Sequence, residues 1–258
     1  MKKGARYKYP YLTDVIFRIK FSNILQLSGN KKEAAESFRK KIFKNYPDVT
    51  IKRSHEFNIG IDINSGNPTE ITQEGNLIWV FTNKEKNKQV ELTATSLILH
   101  YKNNAYTHFR YFLEDIIILL NALKGYSPID LKFLDLRYIN QISGKSIKEL
   151  EECINPNYFS KNIDRLNDNQ KFVQTLTKFS IVEEDYLLDL QYGLFNPAYP
   201  NPEFDKDFIL DFTCVSNNFN TIDEIPNELK MMNKLIWKKF GDAITEKLEN
   251  EMEEETDG

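Results

Sequence analysis

Three short stretches of the chain set an aspartate between large apolar residues: LDL at 134–136, LDL at 188–190 and LDF at 210–212. Asp135, Asp189 and Asp211 are hard oxygen donors of the kind that hold magnesium, so a metal-dependent hydrolase is one chemistry they suit. Arg137, two places after Asp135, argues against that use. A guanidinium pairs with a carboxylate through two parallel hydrogen bonds and competes with a metal for the same oxygens. Three readings stand. One is a structural ion network, in which exposed pairs stabilise by under about 1 kcal/mol. Another is a recognition surface on which Arg137 meets an anionic ligand or partner. The third is a metal centre.

Strand periodicity decides whether these side chains can meet, because alternate residues share a face. In LDLRYIN, Leu134, Leu136 and Tyr138 lie on one face, and Asp135, Arg137 and Ile139 on the other. YLLDLQY and DFILDFTCV repeat the pattern, with Asp189 and Gln191, then Asp211 and Thr213, opposite their apolar neighbours. With the three strands adjacent, Arg137 is expected within ion-pair distance of Asp189 or Asp211. Asn140, three residues after Arg137, joins the candidate binding set. So does Tyr199, in the long loop GLFNPAYPNPEFDKD (193–207) with its Pro197, Pro200 and Pro202. That loop reads either as a rigid cover over a sheet edge or as a binding loop.

The elements that must position these residues follow from the same periodicities. TDVIFRIKF (13–21) alternates as a half-buried strand, and KKEAAESFRKKIFKNY (31–46) has helical spacing. Three strands follow, at 51–63, 76–83 and 89–101, and then a helix at 105–126 with Gly125 as its cap. The second half repeats this order. It has a strand at 130–142, a short helix and turn at 146–163 opened by a Ser146/Glu149 capping box, three strands, and a last helix at 227–252. This predicts an α+β fold of two βαβββα modules in tandem, related by a pseudo-two-fold axis. Its sheets are twisted and mostly antiparallel, with long helices packed on one side. The domains are 1–126 and 127–252, followed by an acidic, disordered tail at 253–258.

Composition excludes several classes. The net charge of −4 over 258 residues gives no electrostatic case for nucleic acid, although Lys2, Lys3, Arg6 and Lys8 make a basic N-terminal arm. The longest apolar run, 116–120, is too short to cross a bilayer. Cys153 and Cys214 form no CxxC pair and no secretory signal is visible, which fits a reducing cytoplasm. Neither phosphate-cradling glycine loop occurs, nor a GxSxG elbow. His55, His100 and His108 belong to no metal-binding motif, and His108 with Arg110 is a poor match to a nuclease pair. No catalytic residue, metal ligand or cofactor is assigned. The reading is of a non-enzymatic interaction or sensing protein whose partner is another protein or a second copy of itself. A hydrolase built on the carboxylate cluster is the alternative.

The chain also resembles a sporadically distributed family of bacterial and archaeal proteins of unknown function. The resemblance runs through YPYLTDVIFRIKF, NLIWVF, LILHYKNNAYTHFRYFLEDI, LDLRYINQI, LLDLQYG, ILDFT and MMNKLIWKKFGDAIT, and so covers nearly the whole chain. Asp14 departs from the glutamate expected there, with the charge kept. The resemblance implies no established catalytic residues. It implies a place beside mobile or phage-defence loci, where such scattered families are often found.

Overall fold

The structure is a computed structural model that describes residues 6–7, 11–28, 32–61, 68–126, 128–159, 173–201, 206–252 and 254–255. Side chains are described for 11–28, 33–53, 77–126, 128–159, 173–201 and 206–252. The elements are β1 (Arg6–Tyr7), β2 (Leu12–Phe21), α1 (Lys32–Ile42), β3 (Asp48–Ile61), β4 (Pro68–Thr82), β5 (Lys88–Leu92), β6 (Ser96–Tyr101) and α2 (Phe109–Leu123). They continue with β7 (Leu131–Ile142), α3 (Ile147–Cys153), β8 (Thr175–Glu183), β9 (Tyr186–Phe195), β10 (Asp207–Ser216), α4 (Ile225–Ala243), α5 (Glu246–Met252) and β11 (Glu254–Glu255). A mostly antiparallel nine-stranded sheet has the order β3-β4-β5-β6-β2-β7-β10-β9-β8, and the fold is α+β as expected.

The first half puts one strand more into the nine-stranded sheet than the sequence suggests. The continuous strand expected at 89–101 is a hairpin, because Thr93 turns the chain: its N–H donates to Ser96 O at 2.9 Å. The hydroxyls of Thr93 and Ser96 lie 2.8 Å apart. The expected last helix is also two helices. Ile244 is extended and forms a β-bridge with Ile154, and Thr245 N donates to Cys153 O, so the helical ladder stops at Ala243. Gly125 lies in a 3₁₀ turn, Lys124–Tyr126, that continues α2. The tail expected to be disordered at 253–258 has two residues in a strand pair, Glu255 opposite Arg6 and Glu254 opposite Tyr7.

The chain divides into two compact units. One comprises 17–100 and 114–133. In it α1 buries Ala35, Phe38 and Ile42, and α2 buries Ile116, Leu119 and Leu123. Asp115 of α2 is buried, and it accepts hydrogen bonds from Tyr46 Oη at 2.9 Å, Lys88 Nζ at 3.1 Å and Asn45 Nδ2 at 3.3 Å.

The other unit comprises 1–16, 101–113 and 134–258, and it holds every candidate site residue. Its core is the apolar face of β7, β9 and β10, including Leu136, Leu190, Leu210 and Phe212, together with Leu229, Met232 and Ile236 of α4. Polar links tie the same face to α4. Tyr138 Oη donates to Asn233 Oδ1 at 2.6 Å, and Ser216 Oγ bonds Glu228 Oε1. The capping box of α3 forms as the sequence indicates, with Glu149 N donating to Ser146 Oγ and Ser146 N to Glu149 Oε2 at 2.7 Å.

Asp115→Ala removes the buried acceptor on which Tyr46, Lys88 and Asn45 converge, and losing such buried hydrogen bonds costs about 1–3 kcal/mol. Urea unfolding of the variant should show that loss, and Asp115→Asn, which keeps an acceptor, should lose less.

Candidate functional site

Cross-strand register assembles the candidate site. Thr213 of β10 lies opposite both Arg137 of β7 and Asp189 of β9, and Asp189 lies opposite Ser180 of β8. One step along, Asp211 lies opposite Ile139 and Gln191, and Gln191 opposite Lys178. One step the other way, Val215 lies opposite Asp135 and Leu187, and Leu187 opposite Val182. Directly paired residues share a face. Asp135, Arg137, Asp189 and Asp211 therefore lie on the one face turned away from α4, as the alternation predicts.

Arg137 meets Asp211 diagonally across β7 and β10. Its Nε donates to Asp211 Oδ1 at 2.8 Å and its Nη2 to Oδ2 at 2.5 Å, a bidentate pair. Asp211 is buried, whereas the arginine side chain is 42% exposed. The hydrogen bonds that Arg137 donates to Asp211 raise its pKa, opposed by burial and aided by the charges of Asp211, Asp135 and Asp14. Asp189 is not on the arginine and instead accepts a hydrogen bond from Ser180 Oγ. A third polar link on this face runs from Gln141 Nε2 to Asp207 Oδ2 at 2.6 Å.

Two candidates lie elsewhere. Asn140 faces the core, is buried, and donates from Nδ2 to Leu210 O at 3.2 Å, so it ties β7 to β10 from the opposite side. Tyr199 lies beyond the end of β9, with about 20 Å of strand between Asp189 and Phe195. It is 65% exposed in a turn held by buried Asn196, whose Nδ2 donates to Asn201 O at 2.6 Å and whose Oδ1 accepts from Ala198 N at 2.9 Å. Pro202 and Phe204 of the same loop lie outside the described residues.

The chemistry is limited by these partners. Both oxygens of Asp211 are taken by the guanidinium, so a metal there would have to displace a bidentate pair. Among the described residues no group of three or more His, Cys, Asp and Glu is arranged to hold a metal ion. His108 has a structural task that its sequence context hid: Nδ1 accepts from Arg110 N at 3.0 Å and caps α2. Arg110 stacks on Tyr111, 4.8 Å from its centroid. The His55 side chain lies outside the described residues. Cys153 and Cys214 are buried, and burial pushes the Cys214 thiol up to about 12 and the Cys153 thiol upward as well. No helix among the described residues is long and apolar enough to cross a membrane. The chain matches no protein-family model and no curated protein.

Arg137→Ala leaves buried Asp211 without its partner and should cost about 1–3 kcal/mol in urea unfolding. Lys20→Ala, on a half-exposed site, should stay within about 0.5 kcal/mol. Equal midpoints for the two variants would mean that the arginine is merely solvated. Because both thiols are buried and held protonated, a disulfide reagent at pH 8 should label neither cysteine in the folded protein and both in guanidinium.

Proposed function

We propose that this protein is a non-enzymatic, cytoplasmic interaction or sensing protein, and that the open face of β7, β10, β9 and β8 carries its contacts. The observation behind this reading is the composition of that face. Arg137 spends two of its five N–H donors on Asp211 and keeps three for a partner. The pair with Asp211 holds those donors in a fixed orientation, which lowers the ordering cost of binding. In the neighbouring row Val182 is 74% exposed and Leu187 41% exposed, directly opposite one another. An apolar strip beside ordered, satisfied polar groups is how protein interfaces are composed. The partner is another protein or a second copy of the chain. The resemblance to a scattered prokaryotic family supports a setting in a mobile or phage-defence locus.

We also read the chain as two tandem modules, 1–126 and 127–252, each of βαβββα type with the added hairpin strand in the first. The sheet order supports this. From the centre outwards it runs β2, the β5–β6 hairpin, β4, β3 on one side and β7, β10, β9, β8 on the other. In each half the first strand of this sheet, β2 or β7, is innermost and the strand after the first helix, β3 or β8, is at the edge.

Affinity capture of the tagged protein from its host, with sedimentation of the purified chain, tests the interaction reading. A stoichiometric partner or a self-association lost in both Arg137→Ala and Val182→Asp, and kept in Lys20→Ala, is the expected result. Binding that survives both variants, or a chain that stays monomeric and unaccompanied, would overturn it.

A further inference from the structure

The opposite face of β8 and β9 borders an open cleft of about 550 Å³. It lies among the 3₁₀ turn Pro156–Tyr158, the two strands and the last turn of α4. Three of its walls are aromatic. The Tyr192 ring stands 5.2 Å from Tyr158 with the planes at 57°, and 6.0 Å from Phe179 with the planes at 82°. Tyr158, Phe179 and Tyr192 thus form one aromatic cluster, and all three line the cleft. Phe179 is 38% exposed on its edge strand, although the residues around it on β9 are buried.

The polar lining favours positive charge. Asp242 lies on the rim, in the last turn of α4, at the negative end of that helix's dipole. Its backbone carbonyl accepts from Asn155 Nδ2 at 3.0 Å, while its carboxylate has no hydrogen bond or ion pair among the described residues. Burial raises the pKa of Tyr158, and the charge of Asp242 adds to it, so the carboxylate is felt inside the cleft. Lys238, which also feels the Asp242 charge, pairs with Glu183 at 2.7 Å, and Lys239 pairs with the same carboxylate at 2.5 Å.

We propose that this cleft binds a small molecule through a quaternary or methylated ammonium group, seated between Tyr158, Phe179 and Tyr192 and facing the Asp242 carboxylate. A cation over aromatic faces gains attraction that a neutral group of the same shape does not, about 0.5–1 kcal/mol at an exposed site. The cleft and the Arg137 surface are on opposite faces of the same strands, so neither claim depends on the other.

Choline and its uncharged carbon isostere, 3,3-dimethylbutan-1-ol, distinguish charge from shape. Each is titrated into the full chain and followed by calorimetry and by saturation-transfer NMR. Choline should bind in the millimolar range and the isostere about tenfold more weakly. Phe179→Leu and Asp242→Asn, both at exposed positions, should each weaken choline about three- to tenfold while the melting temperature stays unchanged. Equal binding of the two probes, no binding of choline, or choline binding indifferent to both variants would overturn the proposal.

Discussion

The register of β7 against β10 is the constraint on which the rest of this unit depends. A slip of one residue would turn Arg137 and Asp211 under α4 and push Leu136 and Phe212 into water, so burial of the apolar face excludes odd slips. A slip of two would keep the faces and is excluded by more local means. It would take Arg137 off Asp211 on the open side and Asn140 off the Leu210 carbonyl on the covered side. Two polar contacts on opposite faces therefore choose among registers that hydrophobic burial alone leaves equivalent. β9 and β8 inherit the choice through their continuous antiparallel pairing.

This division of labour explains why an ion pair of small net value belongs here. With its arginine 42% exposed, the Arg137–Asp211 pair adds little stability over solvated charges. Breaking it is another matter, because Asp211 lies too deep to be rehydrated freely. The same asymmetry holds under α4, where Tyr138 meets both Asn233 and Tyr106, the second at 3.3 Å. Such groups contribute less to folding than the surrounding leucines and phenylalanines, and more to making one alignment the only satisfied one.

The two faces of β7, β9 and β10 were legible in the sequence because alternation is local, and each strand declares it unaided. With the strands taken as neighbours, Asp189 and Asp211 were both in reach of Arg137, and the strand order, which sets β10 between β7 and β9, chooses Asp211. What escaped the sequence depends on partners far along the chain. Nothing between 227 and 252 announces that Ile244 will bridge Ile154 and end a helix there. Asn140 reads as a companion of Arg137 by proximity, yet its even spacing from Tyr138 had already placed it with the core. The split at Thr93 was visible only as a run of hydroxyl and small residues, which strands tolerate as readily as turns. The cleft beside Tyr192 brings together residues from four separate elements, and no spacing in one dimension signals it.

The edge strand β8 ties the two surfaces together physically. Edge strands commonly carry a lysine to discourage pairing with other chains, and Lys178 fills that position here. Protection of that kind is incomplete in β8. Val182 remains 74% exposed on one face and Phe179 38% on the other, three residues apart and therefore on opposite sides. A strand concerned only with solubility would place polar residues at both positions, as it does at Lys178 and Ser180 between and before them. Apolar exposure on both faces of one guarded edge is the feature that the two proposals share, Val182 and Leu187 three and two strands from Arg137 on one face and Phe179 in the aromatic wall on the other.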